Sequence, residues 1–304
     1  MLNITFNNRR KIPALGLGTW KSEKGKVAQV IEKAIVDFDY RHIDCASVYG
    51  NEKEIGRAFK KVFSSKKVSR NDLFITSKLW NTKHHPDNVE KACNQTLNDL
   101  QIDYLDLYLM HWGIAFAPGS SLEPIDKNGM VKTESVSIKE TWQAMEKLVE
   151  NGLVKSIGVS NFTVMMIIDL LSYAKIKPVI NQVEVHPYNS QQELVDFCHK
   201  QGIQVTAYSP LGSSDLNSQR PIEDKTIIEI ANHYKKTPAQ ILIRWSLQRD
   251  LVVIPKSTNF DRLAENIDVF DFELSKKDME KINKLNKDYR FVDPAKWWGF
   301  SYFK

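Results

Sequence analysis

Four side chains that can hold or move a proton stand at separate points of the chain. They are Asp44 and Tyr49 in HIDCASVYGNE, Lys78 in ITSKLW and His111 in LYLMHW. Taken singly, each has a commoner structural explanation, as a buried Tyr, a paired Lys or a core His. Taken together they suit one chemistry. A free tyrosine has a pKa near ~10 and donates its proton only modestly at neutral pH. A neighbouring Lys cation favours the phenolate and lowers that value, while Asp44 would hold and charge-balance the Lys. His111 could donate a hydrogen bond that places a carbonyl oxygen beside Tyr49, to be protonated as a hydride arrives at carbon. That chemistry requires a fold that brings the four together.

Short apolar runs of strand length alternate with stretches of helical period. Strands are expected near 14–18, 41–44, 73–79, 104–110, 155–159, 180–184, 203–208 and 251–255. Runs such as YLDLYLM and LFITSKL are rich in branched and aromatic residues, as strands buried on both faces should be. Helical patterns lie between them, including Lys26–Asp37, Pro86–Leu100, Ser137–Asn151 and Thr163–Tyr173, the last opening after a capping region at Asn161-Phe162. Strand–helix alternation through the whole chain implies a parallel α/β sheet. Eight units and no ninth imply a closed barrel, read as one domain over 1–304. Two spacings exceed a bare strand–helix unit, so long loops are expected at about 112–136 and 211–224.

Barrels of this kind keep their chemistry in the loops beyond the carboxyl ends of the strands. The expected ends are Thr19-Trp20, Asp44, Lys78, His111, Ser160-Asn161, Gln182, Tyr208-Ser209 and Lys256-Ser257. Nearly every one is polar, titratable or aromatic, and the ends of the second, third and fourth strands would lie side by side.

Other patterns fail on inspection. Gly16-Leu-Gly18 begins like a dinucleotide fingerprint, but Lys21 stands where the third glycine is needed. Tyr173 and Lys177 have the Y-x-x-x-K spacing of short-chain dehydrogenases, a pattern too short to carry weight without a glycine loop. His84 and His85 are adjacent, so on a helix they diverge, and no further ligand stands nearby; no metal site is expected.

Composition narrows the classes. Charged residues at 26% and hydrophobic residues at 42% fit a globule rather than a disordered chain. No apolar run approaches the ~18–20 residues that span a bilayer, and the start lacks an apolar core of signal-peptide length. Cys45, Cys93 and Cys198 form no C-x-x-C, so they read as reduced thiols in a cytoplasmic protein. The net charge is only +5, and the basic stretch Lys60–Arg70, with Phe63 as its single aromatic residue, reads as the solvated end of a helix plus its loop. Nucleic-acid and membrane partners are therefore not expected.

The chain resembles the aldo-keto reductases almost end to end, most closely their aldose reductase and aldehyde reductase (NADP-dependent alcohol dehydrogenase) branch. The resemblance rests on Leu15-Gly-Leu-Gly-Thr-Trp20, His42-Ile-Asp-Cys-Ala-Ser-Val-Tyr49, Val154-Lys-Ser-Ile-Gly-Val-Ser-Asn-Phe162, Asn181-Gln-Val-Glu-Val-His-Pro187, Ala207-Tyr-Ser-Pro-Leu-Gly212 and Ile254-Pro-Lys-Ser257. It implies a TIM barrel with a C-terminal tail over its mouth, and a catalytic tetrad of Asp44, Tyr49, Lys78 and His111 with Tyr49 as general acid. It also implies a monomer and an NADPH (or NADP) cofactor lying across the mouth without a glycine loop. By the same match Ser160, Asn161 and Gln182 meet the nicotinamide carboxamide, and Tyr208 stacks on its ring. Ser209, Leu211 and Ser213 belong to the pyrophosphate loop. Lys256, Ser257 and Arg262 take the 2′-phosphate, with Glu265 and Asn266 at the adenine. Gly18, Thr19, Trp20 and Ile254 join the cofactor-binding set, and Lys21, Asp215 and Lys256 match a salt-bridged latch over the pyrophosphate. Two cations and a hydroxyl suit a dianionic phosphate.

The resemblance implies NADPH-dependent reduction of aldehydes, and of some ketones or aldoses, to alcohols. A non-catalytic barrel serving as a structural or regulatory subunit would be favoured by loss of a tetrad member, and none is lost. A barrel hydrolase or isomerase would need a metal cluster or paired catalytic carboxylates. Trp20, Trp80, Trp112, Trp297 and Trp298 are expected to line a pocket for a small carbonyl substrate. Three places depart from the family pattern: the loop after Gly212, Phe260 where relatives often carry proline, and the loop 113–136. These leave the substrate open among aldoses, aliphatic aldehydes, aromatic aldehydes and quinone-like ketones.

Overall fold

Residues that alternate inward and outward along short, doubly buried runs build the centre of the molecule. The computed structural model describes residues 2–213 and 220–303. Its main sheet has eight parallel strands in sequence order: β3 (Leu17–Gly18), β4 (His42–Asp44), β5 (Phe74–Leu79), β6 (Leu107–Met110), β7 (Ile157–Ser160), β8 (Ile180–Glu184), β9 (Gln204–Tyr208) and β10 (Val252–Val253). The first and last strands meet through Gly16 N donating to Val253 O at 2.8 Å and Val253 N donating to Ala14 O at 2.8 Å. The sheet therefore closes as a TIM barrel, as expected.

Helices α1 (Val27–Val36), α2 (Glu52–Ser64), α3 (Pro86–Leu100), α4 (Ile138–Glu150), α5 (Val164–Tyr173) and α6 (Gln192–Lys200) follow β3 to β8 in turn. Each buries an apolar stripe against the outside of the barrel, with Ile31, Phe59, Trp142 and Ile167 among the contacts. Local chemistry sets their starts. Ser137 and Glu140 form a reciprocal capping box at α4, and α3 begins on Pro86. At α5 the cap is Thr163, whose side chain accepts from Met166 N, rather than Asn161 or Phe162.

Three features differ from the sequence expectation. A hairpin of β1 (Asn3–Thr5) and β2 (Lys11–Pro13) precedes the barrel, its Ile4, Phe6 and Ile12 packing with Phe74, Leu107 and Val252. Because Phe74 and Leu107 begin their strands, the hairpin covers the end opposite the carboxyl ends of the strands. The long spacing before β10 holds two helices, α7 (Lys225–Tyr234) and α8 (Pro238–Leu247), as well as a loop. Past β10 come α9 (Phe260–Ile267), α10 (Lys276–Asn283) and a short α11 (Ala295–Trp298) in the tail. At the mouth the tail joins an aromatic cluster of Trp80, Trp112, Phe116, Trp298 and Tyr302. No helix among the described residues is long and apolar enough to cross a membrane.

The barrel interior is tight at Gly158, where a Cβ would lie 2.7 Å from Ile180 O and 2.9 Å from Leu109 Cδ2. Gly158→Ala must push strand backbone aside, and overpacking of that kind costs roughly 1–3 kcal/mol. The expected result is a lower urea midpoint; an unchanged midpoint would contradict this packing.

Candidate active site

The period of two along a strand puts Asp44, Lys78 and His111 on the inward face at the carboxyl ends of neighbouring strands. Tyr49 follows β4 on a single 3-10 turn, Ser47–Tyr49, closed by Gly50 in the left-handed region. Lys78 is fully buried. Its ammonium donates to Asp44 Oδ1 at 2.5 Å, to Cys45 O at 2.9 Å and to the Tyr49 hydroxyl at 3.3 Å. Those three bonds match its three protons. The second Asp44 oxygen accepts from Gln182 Nε2 at 2.7 Å, so the carboxylate is fixed from both sides.

Electrostatics at Tyr49 run opposite to the simple expectation. Burial alone would disfavour the Lys78 cation, but Asp44 and Tyr49 outweigh it and raise its pKa. Around Tyr49 burial wins: it pushes the phenol up to about 12, while the Lys78 cation pulls down and Asp44 pushes up. Lys78 therefore moderates the shift without reversing it. His111 is held well below its usual value by burial and by the Lys78 cation, so its ring is neutral. That ring stands edge-on to Tyr49 at 6.0 Å and to Trp80 at 5.2 Å. Its Nδ1 has no hydrogen-bond partner among the described residues.

Beside these groups opens a cleft of about 670 Å³ that runs from Tyr49 and His111 to the start of α9. It brings together almost every residue expected at the site, on walls formed by the ends of all eight strands from β3 to β10. Lys78 lies behind the wall, under Tyr49, and Asp215 falls outside the described residues. At the ends of β7 to β9, Ser160 Oγ donates to Gln182 O at 2.8 Å. Asn161 Nδ2 donates to His111 O at 3.1 Å, and the Tyr208 hydroxyl donates to Asn161 Oδ1 at 2.8 Å. Asn161 and Ser209 both hold left-handed backbone, with φ of 62° and 49°, which turns the chain sharply at the rim.

The far arm of the cleft has the donor chemistry of an anion site. Lys256, Ser257 and Arg262 line it together with Glu265 and Asn266. Burial holds the Lys256 amine below its usual pKa, against the pull of Glu23. The N-terminus of α9 opens beside them; Asn259 caps it by accepting from Arg262 N at 3.0 Å. Phe260 in place of a proline thus leaves a capped helix, and its ring takes Lys33 Nζ at 4.6 Å from the centroid. Lys21 lies 4.5 Å from the centre of the Trp20 ring.

All five expected tryptophans line the near arm. The tail is held there by identifiable bonds. The buried Glu184 carboxylate accepts from Phe291 N at 2.7 Å and Val292 N at 3.0 Å. Tyr302 accepts from Gly113 N at 2.8 Å, and Trp298 packs edge-on to Trp112 at 4.8 Å. Val48, Glu123, Arg220 and Val292 also line the cleft and were not foreseen. Val48 could have been inferred from its place beside Tyr49; the others lie in loop or tail, where no strand period points them inward. Of the patterns set aside, Tyr173 bonds Asp169 on its own helix at 3.0 Å, and His84 is buried while half-buried His85 caps α3 by accepting from Asp87 N at 3.3 Å.

Comparison with known proteins agrees with this geometry. The model of the Aldo/keto reductase family matches residues 14–287. The chain is 50% identical over 298 residues to the mouse protein "Aldo-keto reductase family 1 member A1", covering 96% of this chain and 91% of that protein. Identity to the human protein of the same name is 48%, with 96% and 91% covered. Among solved structures, the aldose reductase from Schistosoma japonicum superposes with a TM-score of 0.94 at 44% identity, covering 100% of this chain and 98% of that one. The aldose reductase from Giardia lamblia gives 0.92 at 45% identity, covering 96% and 98%. The chain belongs to the aldo/keto reductase family, oxidoreductases that reduce carbonyl groups.

Proposed function

We propose that the chain, acting as one domain over 1–304, is an NADPH-dependent reductase of aldehydes and of some ketones or aldoses, with Tyr49 as general acid. The observation that carries this reading is the Lys78–Asp44–Tyr49 network, which meets His111 at one end of a cleft whose other end holds Lys256 and Arg262.

The residues fit the cofactor. The Lys256 amine, the Arg262 guanidinium and the α9 N-terminus suit a phosphate monoester, with the Ser257 hydroxyl, which donates to Asn259 O at 3.2 Å, at their side. Polar side chains of Ser160, Asn161 and Gln182 with the Tyr208 ring suit a nicotinamide. Ser209, Leu211 and Ser213 line the stretch between, with Gly18, Thr19 and Ile254 facing them and Lys21 beside Trp20. When bound, NADPH supplies the hydride.

The chain's own residues handle the proton. A neutral His111 donates a hydrogen bond to the substrate oxygen and so orients the carbonyl. Tyr49, kept as a phenol by burial, gives its proton to that oxygen as negative charge develops on it. Lys78, 3.3 Å from the hydroxyl, stabilises the tyrosinate left behind, and Asp44 keeps Lys78 in place. Trp20, Trp80 and Trp112 exclude water from the carbonyl, and tail residues Trp297 and Trp298 close the outer side.

Tyr49→Phe removes the transferable proton and little volume. The variant should fold and quench its tryptophan fluorescence with NADPH as before, while kcat/KM for aldehydes falls by about 10²–10⁴. A folded, NADPH-binding variant with the normal rate would refute the role of Tyr49. Arg262→Ala should weaken NADPH by about tenfold to a hundredfold, the range for a charged hydrogen bond, with NADH changed by less than about twofold. Equal losses for the two cofactors would remove Arg262 from the 2′-phosphate site.

A further inference from the structure

One carboxylate is set among the rings of the near arm. Glu123 belongs to the loop between β6 and α4 and lines the cleft with Trp80, Trp112 and Trp298. Indole N–H groups fix this stretch of loop: Trp80 Nε1 donates to Leu122 O at 2.7 Å and Trp298 Nε1 donates to Glu123 Oε1 at 3.2 Å. From Trp298 the contact runs edge-on to Trp112 at 4.8 Å, and Trp112 stacks beside His111 at 6.5 Å. The carboxylate is thus two rings away from the imidazole. One indole N–H uses only part of its acceptor capacity, since two carboxylate oxygens offer about four lone-pair sites.

Of the four cations that line the cleft, Lys21 shares the near arm through the Trp20 ring and the other three are placed elsewhere. Lys256 and Arg262 flank the start of α9, Arg220 bonds Glu223 at 3.0 Å, and Lys21 lies over Trp20. A carboxylate on the wall of a cleft, with only the N–H edge of Trp298 on one of its oxygens, is a group that an ammonium recognises through charge. The same acid repels a carboxylate.

We propose that Glu123 determines the charge preference of the substrate pocket. Carbonyl compounds carrying an ammonium group are favoured, those carrying a carboxylate are disfavoured, and neutral ones lie between. This rests on the reading of the cleft as a carbonyl-reducing site.

Three benzaldehydes test it: para-trimethylammonio, para-tert-butyl (its neutral isostere) and para-carboxy. Each is reduced with NADPH by the wild type and by Glu123→Gln, which keeps an acceptor for Trp298 Nε1. Comparing the change between proteins for each aldehyde cancels its intrinsic reactivity. Relative to the tert-butyl compound, the cation should lose about three- to tenfold in kcat/KM and the carboxylate should gain about as much, mainly through KM. Glu123 is exposed, so both effects should shrink in high salt. All three aldehydes changing by one factor would overturn the proposal, leaving Glu123 as a prop for Trp298. So would charged aldehydes that move no more than the neutral one. If the wild type reduces none of the three, the reductase reading falls. The same aldehydes titrated against tryptophan fluorescence then decide the charge preference alone: weaker binding of the cation by the variant supports it, and unchanged relative affinities sink it.

Discussion

A fully buried ammonium is the constraint around which the mouth of this barrel is organised. Removing a charge from water costs several kcal/mol even after relaxation, and the cost is offset only when its partners are well placed. Lys78 has three such partners, and they come from β4, from the strand end at Cys45 and from the turn bearing Tyr49. Gln182 on β8 then fixes the far oxygen of Asp44, linking opposite sides of the barrel through one carboxylate. On the outer face of β5, buried Glu52 accepts from Ser77 Oγ at 2.5 Å and Thr96 Oγ1 at 3.1 Å; burial pushes its carboxyl up to about 7. Geometry this constrained leaves Tyr49 a single place to stand.

Burial and the cation act on Tyr49 in opposite senses, and their balance matters for chemistry. A phenol with a strongly lowered pKa would be a tyrosinate at neutral pH, without a proton to give. With burial dominant, the acid form persists, and the nearby cation is available when the phenolate forms. In the reaction proposed, the useful property of Lys78 is therefore stabilisation of the conjugate base, more than acidification of the resting phenol.

Much of this was legible in the sequence because strands buried on both faces announce themselves by composition, and strand ends in such a barrel all face one way. Asp44, Lys78 and His111 close three of these runs, so their convergence followed from topology. Features that depend on depth or on single long-range bonds were not legible. The three-residue strands of the hairpin are too short to show a period, and α8 is concealed within a spacing that reads equally as loop. Glu184 looks like one polar residue in NQVEVHP, yet it anchors the tail through backbone groups more than a hundred residues away. Glu123 sits in an irregular loop held by its own backbone bonds and by two indole N–H groups from distant parts of the chain. The sign of the Tyr49 shift was missed because a list of neighbours names the cation but not the degree of burial.

The central claim is that Tyr49 rests as a phenol beside a buried cation. Its most direct test is carbon-13 NMR of the free protein labelled at the phenolic carbon of tyrosine, with the Tyr49 signal assigned by its absence in Tyr49→Phe. Titrated upward in pH, that signal should stay at the phenol position through about pH 10, where a free tyrosine is already half ionised. A Tyr49 signal that moves to the tyrosinate position with a midpoint below about pH 9 would contradict the account.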